Sequence, residues 1–386
     1  MGEEGKEVCS PAQPRGGGGR GVERDENETR EKSRIRPPPP ELVGATLPYL
    51  FLRRRKVAAY QLVGAASPTP ITAAAKECSR SRDYYTLRNI DMWRFFLPRP
   101  SAAAAAGAHS AVEYGSLPPH AMSFYSPTDR MGLMLLGGKH NMVLAADQTG
   151  GGVLYDPAEH AVRTIPDLPP CLNNSPDYLT AGDGDLYLFS TSRDGGCFHG
   201  LIYDNYVDDW FPSALPPPPI EPVSYAAVGD TEIWASGSGK TYRFDTARRE
   251  WSSSGGGFTL PFLGLAEYVP KHGLWFGLSL AMDGKALVLS ATDLHHAGDG
   301  EPRPLRRTLL PLEYTPPDAL NCVGVDLVNL GSGRFCIARF FETDDYEELF
   351  VVFTAVEVDA DAGGLRMLKH RSEMYKLCSE TPYWVL

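Results

Sequence analysis

From Ala121 onward, apolar and polar positions alternate over short runs, the two-residue period expected of strands with one buried face. The runs recur in a fixed order. An alternating apolar strand and a loop lead to a second strand that ends in an aromatic residue followed by Asp; then come a polar turn, a further strand and a proline-rich exit. A first copy reads Met142–Ala146, Val153–Asp156 and Ala161–Ile165, and leaves through Leu168-Pro169-Pro170. A second reads Asp185–Phe189, Leu201–Asp204 and Asp209–Phe211, and leaves through Leu215-Pro216-Pro217. A third reads Glu232–Ala235, Thr241–Asp245 and Glu250–Ser252, and leaves through Leu260-Pro261-Phe262. The aromatic-Asp steps fall at Asp156, Asp204 and Asp245, 48 and 41 residues apart, and a weaker echo from Leu287–Leu289 to Asp293 falls 48 further on. Periods of this size are those of propeller blades, four-stranded antiparallel sheets that bury their faces only by stacking on neighbours.

The remaining chain follows the same grammar less regularly. His272–Gly277 reads as a turn into a buried strand, and Arg334–Phe341, Leu349–Val358 and Leu365–Lys369 as three strands separated by turns. Ahead of the first copy, Val57–Val63 and Tyr84–Ile90 are strand-like, and Ala121–Tyr125 is placed to open the blade that follows. The fold expected is all-β, a kelch-like β-propeller of about six blades, with five or seven also compatible, clearest over residues 121–311. Strands from the two ends of the chain are expected to share one blade, since an open edge invites pairing with another chain. Residues 1–56 read as a disordered, low-complexity arm: Gly16–Gly19, mixed charges from Glu23 to Arg36 and the run Pro37–Pro40 leave little to bury. Residues 57–386 form the single propeller domain, and the alanine-rich stretch within 101–119 is a loop insertion.

Why an aromatic-Asp step recurs has a local answer: the ring covers the contact between blades, and the carboxylate accepts hydrogen bonds from backbone N–H groups of the following turn. A residue repeated in every blade points to scaffold rather than catalysis. Tyr85–Asp91, Val153–Asp156, Ala266–Pro270, His272–Gly277, Gly333–Glu342, Phe353–Val358 and Met367–Glu373 together resemble a plant-specific domain-of-unknown-function family with kelch-like repeats, over roughly Val57 to Tyr375. That resemblance implies a β-propeller-like fold and no catalytic residues. The chain departs from true kelch repeats in lacking a regular Gly-Gly pair in each blade.

Composition agrees with a turn-rich sheet protein: 33 prolines and 39 glycines punctuate 386 residues. The formal charge of −11 is uneven, +3 over Met1–Lys56 and −14 over Val57–Leu386. A body that acidic repels a phosphate backbone, so the folded part is not expected to bind nucleic acid, and a basic or neutral protein partner suits it better. Seven scattered cysteines with no C-x-x-C fit free thiols in a reducing compartment, cytoplasm or nucleus. No secretory h-region opens the chain, and the apolar patch Leu47–Leu52 is too short to cross a bilayer, so no membrane association is expected.

Several motifs fail on inspection. Ser236–Thr241 ends like a phosphate-binding loop, but Trp234 stands where the motif needs glycine and a strand follows where it needs a helix. Gly182–Asp185 and the pair Asp359 and Asp361 supply too few oxygens for calcium. No His or Cys pattern has metal-ligand spacing, so no metal, cofactor or catalytic residue is assigned. Arg53–Lys56 is a short basic cluster that either flanks the first strand or serves nuclear import, and Asn27-Glu28-Thr29 and Asn173-Asn174-Ser175 fit the glycosylation pattern without a secretory context.

The function expected is a non-catalytic protein-interaction scaffold working through rim loops. Candidate contacts are Trp210, Trp234 and Trp251, for which burial between blades is the competing role, and the acidic run Glu342, Asp344, Asp345, Glu347 and Glu348. Two alternatives stand beside it: an enzyme with a site in the axial channel, marked by titratable groups of perturbed pKa, and a substrate adaptor of a ubiquitin-ligase-type complex. No helical F-box-like segment precedes Val57.

Overall fold

Alternation becomes strand wherever a turn residue allows the chain to reverse. The computed structural model describes residues 49–54, 84–97, 112–125, 131–137, 140–169, 176–182, 184–190, 196–255, 258–281, 286–295, 307–310, 320–344, 348–361, 364–377 and 383–385. The chain divides into two units: Met1–Glu41, outside the described residues, and Leu42–Leu386, which holds every described element.

In chain order the elements are β1 (Tyr49–Arg54), β2 (Tyr84–Asn89), α1 (Trp93–Phe96), β3 (Glu113–Tyr114) and β4 (His120–Tyr125). Then come β5 (Met131–Leu136), β6 (Met142–Asp147), β7 (Gly152–Asp156), β8 (Ala161–Ile165), β9 (Asp177–Ala181), β10 (Asp185–Ser190), β11 (Cys197–Asp204) and β12 (Asp209–Leu215). Next are β13 (Ser224–Val228), β14 (Glu232–Gly237), β15 (Lys240–Asp245), β16 (Glu250–Ser253), β17 (Leu263–Val269), β18 (Leu274–Leu280), β19 (Leu287–Thr292) and β20 (Arg307–Leu310). The last five are β21 (Leu320–Gly331), β22 (Arg334–Thr343), β23 (Leu349–Asp361), β24 (Gly364–Leu377) and β25 (Tyr383–Val385).

The strands form antiparallel meanders that follow the chain: β5–β8, β9–β12, β13–β16, β17–β20 and β21–β24. The third and fourth merge into one eight-stranded sheet because β13 and β17, the first strands of each, pair in parallel, Ser224 to Gly264 through Ala226 to Ala266. A further sheet runs β25-β1-β2-β4, so strands from both ends of the chain share it, as expected. β3 adds in parallel to the outer edge of β24.

Hydrophobic burial lies between consecutive sheets. Tyr85, Leu87 and Phe124 pack on Leu133, Val143 and Tyr155. Leu144 and Leu154 pack on Leu186, Leu201 and Trp210. Phe189 and Phe198 pack on Tyr225, Ile233 and Phe244. Ala226 and Trp234 pack on Ala266 and Trp275. Phe276 and Leu289 pack on Phe335, Ile337 and Val356. Past the last sheet, Ile90, Met92 and Phe95, which follow β2, pack on Phe340, Phe353 and Tyr375. Each of the five meanders is thus apolar on both faces, and burying both against neighbours is the main stabilising term for such a unit.

The repeated turns behave as the residues require. Asp156 accepts the backbone N–H groups of Ala158 (2.9 Å) and Glu159 (3.2 Å), Asp204 those of Tyr206 (2.7 Å) and Val207 (3.4 Å), and Asp245 those of Ala247 (2.9 Å) and Arg248 (2.8 Å). Asp293 does the same for His295, at 2.9 Å. Each of the three full turns closes on a left-handed residue, His160, Asp208 and Arg249, with φ of 52°, 54° and 58°.

Three expectations are moved. Ala121–Tyr125 does not open the following blade: Met122–Tyr125 lie within β4, which pairs with β2, through registers such as Leu87 to Met122, and completes the sheet already begun. Tyr49–Arg54, placed by composition in the arm, is β1, because the patch around Leu50 and Leu52 pairs with β2. Within the expected loop insertion, Glu113–Tyr114 is β3, held where Arg371 bonds Glu113 and the Gly115 N–H reaches the Met374 carbonyl at 2.8 Å. Ser236–Thr241, whose strand-forming sequel already spoke against a phosphate loop, is the hairpin turn of β14 and β15 as expected, with Ser238 and Gly239 at φ of 50° and 79° and no helix after it. The arm up to residue 48, Val57–Val63, Arg55-Lys56 and both glycosylation triplets lie outside the described residues.

Candidate functional site

Five of the meanders present their first strands, β5, β9, β13, β17 and β21, to a common cavity of about 490 Å³. Its wall includes Leu135, Tyr178 and Thr180, Ala227, Leu265 and Glu267, and Leu327 and Asn329, one group from each strand in turn. Tyr268, Trp275 and His295 add an aromatic section, with ring centroids 4.6 Å apart for Tyr268 and Trp275 and 4.8 Å for Trp275 and His295. The Trp275 indole is pinned by donating to the Ala227 carbonyl at 2.7 Å.

Neighbouring first strands are joined by different devices. Thr180 receives the Gly137 N–H (3.1 Å) and donates to the Leu135 carbonyl (3.5 Å), tying β9 to the β5 end. Tyr225 on β13 donates to Asp177 on β9 at 3.1 Å. β13 and β17 share backbone hydrogen bonds directly.

Charge on this wall is unbalanced. Among the described residues the lining includes Glu267 and Asp230 and no Lys or Arg. Glu267 is half-buried on the cavity wall, and burial pushes its carboxyl from 4.5 up to about 7. No hydrogen-bond donor or cation among the described residues meets it. Asp326 on β21, one residue before the lining Leu327, is pushed by burial from 3.8 up to about 6. The Tyr178 hydroxyl is raised, first by burial, with its hydrogen bond to the Leu135 backbone opposing and the charges of Glu267 and Asp326 adding to the rise. Burial thus raises two carboxyl groups, Glu267 on the lining and Asp326 beside it.

The residues proposed from sequence do not gather at this cavity. Trp210 is buried, donates to the Gly184 carbonyl at 3.3 Å and lies beside His140 with centroids 4.7 Å apart. Trp234 is buried under the Arg243 guanidinium, 4.4 Å from its ring centroid, and donates to Glu232 at 2.8 Å. Trp251 is half-buried and donates to the Pro216 carbonyl in the exit of the preceding meander at 2.7 Å. All three occupy packing positions, the role that competed with partner contact. The acidic run forms the turn between β22 and β23. Glu342 is half-buried, exposed Asp344 receives the Asn321 side-chain amide at 2.8 Å, and Glu348 pairs with Lys376; Asp345 and Glu347 lie outside the described residues.

Glu267, Tyr178, Trp275 and His295 were missed. Glu267 carried one signal, an acid inside the otherwise apolar run Leu263–Val269; convergence of five strands separated by up to about 190 residues has no local signature. Among the described residues no group of three or more His, Cys, Asp and Glu is arranged to hold a metal. Asp185 is engaged by the Tyr203 N–H at 2.8 Å, and Asp359 by Lys271 at 3.0 Å, which holds the Asp359 carboxyl below its ordinary range. Cys197, Cys322 and Cys336 are free thiols, and no described helix is long and apolar enough to cross a membrane.

A family model described as "Protein of unknown function (DUF1668)" matches residues 73–375. No curated protein matches the chain. Among solved structures, a functionally unknown protein from Desulfotomaculum acetoxidans is similar at 12% identity and a TM-score of 0.39, covering 74% of this chain and 76% of that one. Hsv2 of Kluyvelomyces marxianus is similar at 10% identity and a TM-score of 0.31, covering 66% and 88%. Likenesses this distant fix neither fold nor activity.

Proposed function

The chain belongs to the family described as protein of unknown function DUF1668, and we propose that it is a kelch-like six-bladed β-propeller that serves as a non-catalytic protein-interaction scaffold. Five consecutive meanders, each packed on the next, supply five blades, and the sheet β25-β1-β2-β4 supplies the sixth. In that sheet the C-terminal strand takes the position that β5, β9, β13, β17 and β21 take in theirs. Contact between the β21–β24 sheet and Ile90–Phe95 brings the last blade against the first. A closed ring of this kind removes the sheet edges that would otherwise invite aggregation and holds its loops on a rigid frame.

The observation that carries the scaffold reading is a departure from the repeated turn. The turns after Asp156 and Asp245 carry Ala158, Glu159, Ala247 and Arg248, whereas the turn after Asp204 carries Tyr206, 96% exposed, and Val207, with Phe211 exposed nearby on β12. Large apolar side chains on a tip whose backbone needs none of them suit a partner contact. In a meander the third turn and the second leave from opposite ends, so the acidic β22–β23 turn belongs to the other rim.

The test is affinity capture by the whole chain, repeated with Tyr206→Ser/Val207→Ser and with Asp344→Asn/Glu348→Gln. A partner that binds saturably and is lost with the first variant supports the aromatic rim; loss with the second alone moves the contact to the acidic rim. A chain that retains no saturable partner under either low or physiological salt overturns the reading.

A further inference from the structure

The proline-rich exits differ from one another as the outer turns do. In the first, Pro169 is half-buried behind buried Leu168, and in the third a single half-buried proline, Pro261, lies between buried Leu260 and Phe262. The exit from β12 instead holds four prolines in succession, Pro216–Pro219, of which Pro216, Pro217 and Pro219 are exposed and Pro218 is half-buried. Leu215 before the run is buried, and so is Pro222 after it, so the run bridges two anchored points. The third exit joins its meanders without such a run, so the connection alone does not call for one.

The conformation of the run follows from its residues. Each position from Leu215 to Pro218 precedes a proline, which disfavours helical backbone, and each proline ring fixes φ at about −65°. Both restrictions together select the polyproline helix over Pro216–Pro218, and the chain bends at Pro219 and Ile220, where no proline follows. That helix has about three residues per turn, so positions three apart share an edge. Leu215 and Pro218 accordingly turn toward the body, while Pro216 and Pro219 share an outward edge beside Pro217. Prolines bring no N–H, so the run cannot pair as a strand, and its carbonyls stay open to other donors. One of them is met by an aromatic donor: the Trp251 indole of the next meander reaches the Pro216 carbonyl at 2.7 Å.

From the exposed Pro216–Pro219 run, anchored at both ends and already met on one carbonyl by an indole, we infer that this segment is a ligand for a partner domain whose aromatic-lined groove takes polyproline helices. Such a groove inserts rings between the proline edges and donates to the carbonyls, and a helix fixed before binding loses little conformational entropy when it docks. Within the scaffold reading this names a class of partner and a second contact. β12 runs from the turn bearing Tyr206 to the proline run, so the two contacts lie at opposite ends of one outer strand and can be lost separately.

The test uses the whole chain, with recombinant SH3, WW and EVH1 domains as probes and isothermal calorimetry as the readout. At least one of the three is expected to bind saturably. Pro217→Ala/Pro219→Ala removes two exposed rings and is expected to weaken that binding at least about tenfold. The same variant is expected to melt close to the wild-type temperature, since neither ring is buried, which separates a lost ligand from a lost fold. Pro38→Ala/Pro39→Ala, in the chain's other run of four prolines, is the control and is expected to leave the affinity of the weakened site unchanged. Absence of saturable binding by all three domains, undiminished affinity in Pro217→Ala/Pro219→Ala, or loss of binding with Pro38→Ala/Pro39→Ala instead would each overturn the assignment. The scaffold reading would survive any of these results, because affinity capture through the Tyr206 turn is measured without the probe domains.

Discussion

The outer turns and the inner strands of this chain solve comparable problems in opposite ways. At the periphery, one device is used three times: an Asp at the strand end caps two backbone N–H groups, and a left-handed residue four positions later closes the turn. Around the cavity, β5 and β9 are tied through Thr180, β9 and β13 through Tyr225 and Asp177, and β13 and β17 through backbone alone. A turn is a local object, so selection for it repeats the same short sequence. An inner junction joins strands about 40 residues apart, and any pair of groups that satisfies the two backbones will serve.

The largest effect that bears on this comparison is expected at Trp210, which sits at the periphery in sequence and between sheets in space. Trp210→Ala removes an indole packed with Leu144, Leu154 and Leu201, and is expected to cost about 3–5 kcal/mol in denaturant unfolding. A cost comparable to that of a turn variant would mean that the sheets do not rely on each other, and the contrast between local and non-local devices would collapse.

Next in size is the pH dependence contributed by the cavity. Glu267 and Asp326 hold their protons more tightly folded than unfolded, so the folded chain binds more protons between about 4.5 and about 7 for Glu267 and between 3.8 and about 6 for Asp326. The sign follows: the stability each group contributes is fully present below its unfolded pKa and is lost as pH rises through its folded one. The difference in unfolding free energy between Glu267→Gln and wild type should therefore grow from pH 4 to pH 8, by on the order of 2 kcal/mol once cavity water is allowed for. Urea titrations at four pH values measure it, and a flat difference would place Glu267 in ordinary solvent.

These residues also mark where the sequence was readable. The outer strands β7, β8, β11, β12, β15 and β16 were legible because the aromatic-Asp step encodes a turn on its own. Burial on both faces made β22 and β23 legible as long apolar runs. β9 and β13, reading Asp177-Tyr-Leu-Thr-Ala and Ser224-Tyr-Ala-Ala-Val, were passed over: they are short, lack a turn signature, and owe their strand state to neighbours elsewhere in the chain. The cavity was illegible for the same reason, since its wall is assembled from such strands. The three tryptophans misdirected attention because large aromatics serve packing and recognition equally well.

A matched pair of substitutions sharpens the contrast at intermediate size. Thr180→Val is nearly isosteric and strands the Gly137 N–H, with an expected cost of about 1–2 kcal/mol. Asp204→Ala leaves the Tyr206 and Val207 N–H groups to water at an exposed turn, with an expected cost of roughly 0.5–1 kcal/mol. Thermal melts of both, in one buffer, rank them; a turn variant costlier than the inner one would reverse the ordering.

The smallest effect is the most discriminating, because it separates the backbone of the repeated turn from the side chains hung on it. His160 and Arg249 occupy the same left-handed position, with φ of 52° and 58°. Glycine there relieves about 1 kcal/mol of strain and gives back roughly 0.5–1 kcal/mol in unfolded-state entropy. On backbone grounds, both substitutions should be neutral to slightly stabilising. Arg249 reaches Ser213 at 3.1 Å on an exposed surface, a contact worth little, so Arg249→Gly should hold or raise the melting temperature. His160 Nδ1 instead lies 3.1 Å from the hydroxyl of Tyr155, whose ring is buried against Phe124 in the contact between sheets. His160→Gly leaves that hydroxyl without its imidazole partner and should cost about 1 kcal/mol. Opposite signs at equivalent positions would show that even the repeated turn has been recruited, in one copy, to fasten a neighbouring sheet; equal signs would leave it a purely local device.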